Sequence, residues 1–216
     1  REPGQDWRPW LVIARQEETA DVASFLLRPA DGGEPPAFQP GQYVSVAVTL
    51  PDGARQIRQY SFSCAPHRAI RRITVKRVRD EHEPDGEVST WLHANVNVGD
   101  TLNLSTPYGN AVADTSDSPL LLVSAGIGCT PVIGILDHLV VTATTRSVTV
   151  VHADRSMAEH AMREHMYQSV KELPNARAYV WYEQPPAGWP AWHTGFAELD
   201  GLDIPLDVQA YVCGPA

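Results

Sequence analysis

The feature that most constrains this chain is an apolar run, Leu120-Leu121-Leu122-Val123, followed after Ser124-Ala125 by Gly126-Ile127-Gly128-Cys129-Thr130-Pro131. A short run without polar interruption reads as a strand buried on both faces, as in a parallel sheet. The glycines let backbone approach a ligand closely, and Pro131 fits a first helical turn, where its missing N–H costs nothing. Thr130 can cap that helix and donate to a phosphate. Strand, glycine turn and helix together form a phosphate cradle. A second apolar run ends in Tyr211-Val212-Cys213-Gly214-Pro215, at the kind of strand end where open parallel sheets hold ligands.

The two sides of this cradle are patterned differently. Upstream, the runs Trp10 to Ala14, Val22 to Arg28, Tyr43 to Leu50, Arg55 to Ser63, Ile73 to Val78 and Thr101 to Ser105 are short and rich in β-branched and aromatic residues. Turn clusters separate them, among them Pro51-Asp52-Gly53 and Glu83-Pro84-Asp85-Gly86. Such spacing predicts a small closed antiparallel barrel, with a short helix from Val88 to Asn95 entered at Gly86. Downstream, strands at Leu120 to Ser124, Ser147 to His152, Ala178 to Tyr182 and Val208 to Cys213 alternate with helices at Pro131 to Leu139 and Ala158 to Leu173. That alternation predicts a parallel sheet flanked by helices. The polar segment Ala113 to Pro119 marks the boundary, giving domains 1–113 and 114–216. Pro185 to Gly195 reads as a long loop.

Composition removes several functions. Hydrophobic residues at 43% place the chain among ordinary globular proteins. A net charge of −9, with scattered lysines and arginines, argues against a nucleic-acid surface. The densest basic run, Arg68 to Arg79, alternates with apolar residues, which places its outer arginines on a wet strand edge. Cys64, Cys129 and Cys213 lie far apart, which fits neither a disulfide framework nor a four-thiolate cluster, and suits a reducing, cytoplasmic compartment. No stretch approaches the ~20 apolar residues of a membrane span. His160 and His165 do not share a helical face, so a zinc pair is excluded and no metal is expected. His138, Glu159 and Glu164 read as solvated helix surface. The serines lack a nucleophile-elbow context. Arg1 and Ala216 are expected to be cut points in a longer protein, and oligomeric state is not legible.

Arg58-Gln59-Tyr60-Ser61 offers a cation for a pyrophosphate, an aromatic face for a flat ring and a hydroxyl for a ring heteroatom. With this motif placed upstream of the glycine turn, the chain resembles the ferredoxin–NADP reductase-like flavoproteins, and within them the reductase half of bacterial flavohaemoglobins. The resemblance runs through Trp7-Arg8-Pro9-Trp10, Pro40-Gly41-Gln42-Tyr43, Arg58 to Ser63, Val75-Lys76-Arg77 and Gly86 to His93. It continues through Ser124 to Pro131, where Pro131 replaces the last glycine of the more widespread dinucleotide fingerprint. His152-Ala153, Trp181-Tyr182-Glu183-Gln184-Pro185 and Cys213-Gly214-Pro215 complete it.

The resemblance implies FAD in the barrel and NAD(P)H in the second domain. Tyr60 would cover one face of the flavin, the Ser61 hydroxyl would approach its N5 region and Arg58 would meet the pyrophosphate, with Gln59 in the same motif. Gly86, Val88 and Ser89 would form a second pyrophosphate contact, Val75 and Lys76 would give backbone groups to the ring, and Tyr43 would serve either FAD or the core. Gly126, Ile127, Gly128, Cys129, Thr130 and Pro131 would hold the dinucleotide phosphates. Cys213, with Gly214 and Pro215, would lie beside the nicotinamide, positioning it without nucleophilic attack. Ser61 and Cys213 are thus the catalytic candidates. His152, Asp154 and Arg155 follow the second strand, where an acidic group reads a ribose hydroxyl and an arginine a 2′-phosphate; Asp154 and the resemblance favour NADH. Electrons would pass from NAD(P)H through FAD to a haem in an upstream globin domain, for nitric oxide dioxygenation, or to a separate acceptor. Two other readings stay open: a stand-alone or oxygenase-coupled reductase, and a flavin-binding regulatory module that does not turn over.

Overall fold

The computed structural model describes residues 6–79, 86–114 and 116–215. The turn residues Glu83-Pro84-Asp85, and Thr115 of the boundary segment, lie outside the described residues. The chain divides into two compact units, one reaching Val112 and one beginning at Ala113.

The first unit contains β1 (Arg8–Glu17), β2 (Val22–Pro29), β3 (Tyr43–Thr49), β4 (Arg55–Ser61), β5 (Arg71–Lys76), α1 (Glu87–Asn95) and β6 (Thr101–Leu104). The strands form one antiparallel sheet in the order β4-β3-β6-β1-β2-β5. Its outer strands meet where Phe62 bridges Ile73 and the Ser63 N–H donates to the Arg72 carbonyl at 2.9 Å. The sheet therefore closes on itself as a barrel. Val12, Phe25, Leu27, Val44, Val46, Phe62, Ile73 and Leu104 fill it, with Leu92 of α1 packed in. Each large apolar side chain so buried contributes roughly 2 kcal/mol.

Two details depart from the pattern reading. A register shift between Val12 and Ala14 bends β1, which lets one strand pair with both β2 and β6 around the curve. Arg71 does not lie on a wet edge. It is 2% exposed, stacks 4.8 Å over the Phe38 ring and donates to the Arg68 carbonyl and, at 3.1 Å, to that of Pro36. Burial pushes its pKa down, yet a guanidinium remains charged in proteins. It therefore ties the 30–42 segment to β5.

The second unit contains β7 (Leu120–Ala125), α2 (Cys129–Val141), β8 (Val148–Ser156), α3 (Arg163–Glu172), β9 (Ala176–Gln184) and β10 (Gln209–Cys213). These strands form a parallel sheet in the order β10-β7-β8-β9. One face carries Leu121, Val151 and Trp181, packed under Ala197, Leu202, Ile204 and Val208. The chain between β9 and β10 is thus a cover for the sheet, shaped by a 3-10 turn at Ala191–His193. Helix α3 begins later than the expected Ala158. Met162 takes a left-handed φ of 57°, and the turn before it inserts His160 and Ala161 into the interior. Burying those two residues breaks the helix there. Of the expected surface residues, Glu164 is exposed, whereas His138 and Glu159 are half-buried.

Candidate functional site

In the barrel unit the candidate site lies along β4. Arg58 and Tyr60 pair with Val46 and Val44, whereas Gln59 and Ser61 pair with Ser45 and Tyr43. Paired residues share a face and neighbours alternate, so Arg58 and Tyr60 lie on one face and Gln59, Ser61 and Tyr43 on the other. Tyr60 is half-buried against the core. Burial pushes its hydroxyl up to about 12, with Arg58 pulling the other way, so the ring stays a neutral phenol. The exposed Arg58 guanidinium donates to the Ile57 carbonyl at 2.8 Å. Tyr43 packs edge-on against Tyr108 with centroids 4.3 Å apart.

At the entrance of α1 the Gly86 N–H donates to the Val78 carbonyl at 3.0 Å. The Ser89 hydroxyl donates to the Gly86 carbonyl at 3.0 Å and accepts from the Val78 N–H at 3.1 Å. Its proton is therefore committed to the turn. What the turn offers an anion is the row of backbone N–H groups that every helix start leaves unpaired. A Cβ on Gly86 would lie 2.9 Å from both Ser89 Oγ and Val78 Cβ. Val88 points into the core. The Val75 carbonyl accepts from His93 Nε2 at 2.9 Å, and Lys76 Nζ sits 3.6 Å from the Asp21 carboxylate.

In the second unit, Gly126–Gly128 forms a 3-10 turn that leads directly into α2. Gly126 has a left-handed φ of 51°. Gly128 meets a different demand: a Cβ there would lie 2.3 Å from the Cys213 carbonyl oxygen and 2.9 Å from the Gly214 nitrogen. The turn and Cys213-Gly214 are thus in backbone contact. Thr130 does not cap α2. Gly128 holds the N-cap, and the Thr130 hydroxyl donates to the Ile127 carbonyl at 3.1 Å. Cys213 is half-buried, and burial pushes its thiol up, so it remains protonated and is not a nucleophile.

Cys213 is in register with Ser124, and Ser124 with His152. From that row a buried polar array extends. Ser124 Oγ pairs with His152 Nδ1 at 2.9 Å, and His152 Nε2 lies 3.4 Å from Asp154 Oδ2. The other Asp154 oxygen accepts the Arg155 N–H at 2.8 Å. The His160 ring stacks 4.0 Å from that of His152, and its Nδ1 pairs with the Tyr182 hydroxyl at 2.9 Å. Burial, reinforced by His152 and Arg163, pushes His160 down to about 2. Burial raises Tyr182 to about 12.

Comparison with known proteins decides the family. Residues 122–216 match the family described as Oxidoreductase NAD-binding domain. The chain is similar to the flavohem-like FAD/NAD binding domain of nitric oxide dioxygenase from Vibrio cholerae O1 biovar El Tor. That match has a TM-score of 0.90 and 37% identity, covering 98% of this chain and 88% of that one. This chain belongs to the flavohaemoglobin reductase domains, within the ferredoxin–NADP reductase-like flavoproteins. As such it is an FAD-dependent NAD(P)H oxidoreductase module. The flavohemoprotein of Bordetella pertussis (strain Tohama I) is 40% identical over 97% of this chain and 54% of its own length. The flavohaemoglobin of Malassezia yamatoensis, solved with bound FAD and heme, matches with a TM-score of 0.84 and 32% identity, over 97% of this chain and 53% of that one. The chain thus spans about half the length of the flavohemoproteins it matches.

For a module of this family, the structure redistributes some of the expected roles. Asp154, 8% exposed, turns inward to His152 and does not present its carboxylate at the strand end. The exposed group there is Arg155, 3.7 Å from Glu159. Ser124, His160, Tyr182 and Tyr108 went unremarked as site residues. Tyr108 carries a signal in Pro107-Tyr108-Gly109, an aromatic beside a turn glycine. The joining of Ser124, His160 and Tyr182 to His152 and Asp154 carries none, because it pairs residues on three different strands and in the turn before α3.

Two outcomes follow for stability. Gly128→Ala forces a carbon against the Cys213 carbonyl and should cost about 2–3 kcal/mol in urea denaturation. Gly126→Ala has open space and bears only the left-handed penalty, about 1 kcal/mol. Equal losses in the two variants would show that the contact with Cys213 does not hold the turn. The second outcome concerns pH. His160 has a folded pKa of about 2 against 6.5 unfolded, so the unfolded chain takes up the proton first. Its contribution is complete above pH 6.5 and declines as pH falls towards 2, by at most about 1.4 kcal/mol per pH unit. His160→Gln should flatten the loss of stability between pH 6.5 and 5, and an unchanged slope would rule His160 out as its source.

Proposed function

We propose that this chain is the reductase part of a flavohaemoglobin-type nitric oxide dioxygenase, delivering electrons from NADH through FAD to the haem of a globin domain in the same polypeptide. The observation that carries the reading is the backbone contact between Gly128 and Cys213, which joins the glycine turn to Cys213-Gly214-Pro215 at one end of the parallel sheet. A flat, phosphate-bearing ligand suits a site built from backbone and a neutral thiol. The relatives' greater length leaves room for the globin, and the overall reaction would convert nitric oxide to nitrate. Three cysteines outside any disulfide fit a cytoplasmic protein.

FAD, when bound, supplies the conversion between two-electron and one-electron transfer. The protein's share is binding and orientation. Tyr60 gives an uncharged face to the ring, Ser61 a hydroxyl to its edge, and Val75 and Lys76 backbone groups. Arg58 and the N–H groups of Val88 and Ser89 hold phosphate, at a turn that Gly86 keeps free of a side chain, with Tyr43 and Gln59 on the opposite face of the strand. In the second unit the start of α2, from Gly126 through Ile127, Cys129 and Thr130 to Pro131, receives the dinucleotide phosphates. Cys213 keeps its proton and packs against the nicotinamide, with Gly214 and Pro215 shaping the wall. His152 and Asp154 hold the strand end from which Arg155 projects.

The chain should bind FAD, and Tyr60→Ala should weaken that binding on the order of tenfold by loss of the aromatic face, measured by equilibrium titration of apoprotein. Wild-type protein that takes up no FAD would end this reading. Bound FAD that NADH cannot reduce anaerobically would instead leave the non-catalytic module. We also assign the NADH preference to Glu159, whose carboxylate competes with a 2′-phosphate for Arg155. Glu159→Gln should raise kcat/KM for NADPH relative to NADH several-fold. A wild type that favours NADPH, or a ratio unmoved in the variant, removes this pair from the ribose site.

A further inference from the structure

A single phenol organises the outer face of β3 and β4. The Tyr108 hydroxyl accepts from Gln59 Nε2 at 3.1 Å and shares a short hydrogen bond with Ser45 Oγ. Its ring packs edge-on against Tyr43. Tyr108 is locked in turn by reciprocal backbone bonds with Tyr43, at 3.0 and 2.9 Å. Gly109 follows with φ 115°, and a Cβ there would lie 2.7 Å from the Tyr43 ring. Nothing larger than glycine leaves room for this stack.

The consequence is a fixed orientation for the Gln59 amide. With its nitrogen held by Tyr108, its carbonyl oxygen is turned the other way, as an acceptor on an exposed surface beside an aromatic ring. Along β4 this surface carries Gln59 and Ser61, on the face opposite Arg58 and Tyr60. An acceptor beside an aromatic edge suits an adenosine, whose ribose hydroxyls and exocyclic amine donate and whose base stacks.

We propose that Tyr108 is a positioning residue that sets Gln59 and Tyr43 to recognise the adenosine half of FAD, and so makes the module select FAD over shorter flavins. The inference rests on the FAD reading above. Without the phenolic oxygen the Gln59 amide is free to turn, and its acceptor is no longer directed.

The test titrates apoprotein with FAD and with riboflavin, following flavin fluorescence. Tyr108→Phe keeps the ring against Tyr43 and removes only the hydroxyl. It should raise the Kd for FAD on the order of tenfold while leaving riboflavin within about twofold. Gln59→Ala should give a similar selective loss, and the double variant should be no worse than Gln59→Ala alone, because both act through one amide. Unchanged FAD affinity in Tyr108→Phe, equal losses for both flavins, or fully additive penalties would each overturn the proposal. A wild type that binds neither flavin overturns the FAD reading and this inference together. A wild type that binds both, matched by Tyr108→Phe, overturns only the role of Tyr108.

Discussion

The close approach of Gly128 to the Cys213 carbonyl is the constraint on which the nucleotide unit depends. Strands β7 and β10 are parallel neighbours, so their C-terminal ends emerge side by side. A chain that turns into a helix from one of them must pass the other without a side chain between. Gly128 supplies that clearance, with 2.3 Å between a would-be Cβ and the Cys213 oxygen. Once the two backbones touch, the start of α2 and the Cys213 side chain are fixed relative to each other. A phosphate-binding motif is usually argued from what its glycines allow a ligand to do. Here Gly128 is required by the protein first, and any accommodation of phosphate follows from the turn it permits.

Behind that contact sits the row of Ser124, His152, Asp154, His160 and Tyr182. Apolar residues fill the same positions lower in the sheet, such as Leu122 and Val150. The change from apolar to polar at the strand ends has a cost, since buried polar groups must be paired. The array meets most of it internally: each imidazole has at least one partner, with His160 Nε2 left buried without one, and the depressed pKa of His160 keeps two stacked rings from being charged together. The Arg155 N–H, held by Asp154, fixes the direction in which the chain leaves β8. A rigid strand end is what a ribose-reading site needs, because discrimination by one charge depends on where that charge is placed.

Much of this was legible in the sequence, for a physical reason. Strand and helix periodicity is local, so the barrel strands, the parallel alternation and the Gly126–Pro131 turn could all be read from neighbouring residues. What was lost is non-local. Arg71 looks like any arginine in a basic strand until Phe38 and the Pro36 carbonyl, more than thirty residues away, come to cover it. Asp154 looks like a ribose reader until His152 turns its carboxylate inward. Helix α3 looked longer because Ala158 to Met162 has helical composition, yet His160 is drawn to Tyr182 and the helix cannot begin before it. In each case tertiary pairing overrides a preference that was correct locally.

The barrel raises the complementary question of why a closed sheet leaves one strand available. Among the described residues, closure occurs at the end of β4, through Phe62 and Ser63, and residues 55–60 pair with no strand other than β3. An open edge of this kind is an aggregation hazard unless charge or a covering element protects it. Arg55 and Arg58 lie on that stretch, and both are exposed. The same cations that discourage another strand are suited to phosphate, which carries no strand to pair. The motif Arg58-Gln59-Tyr60-Ser61 thus occupies an outer strand whose far edge remains open to a ligand, and the late closure at Phe62 keeps it so.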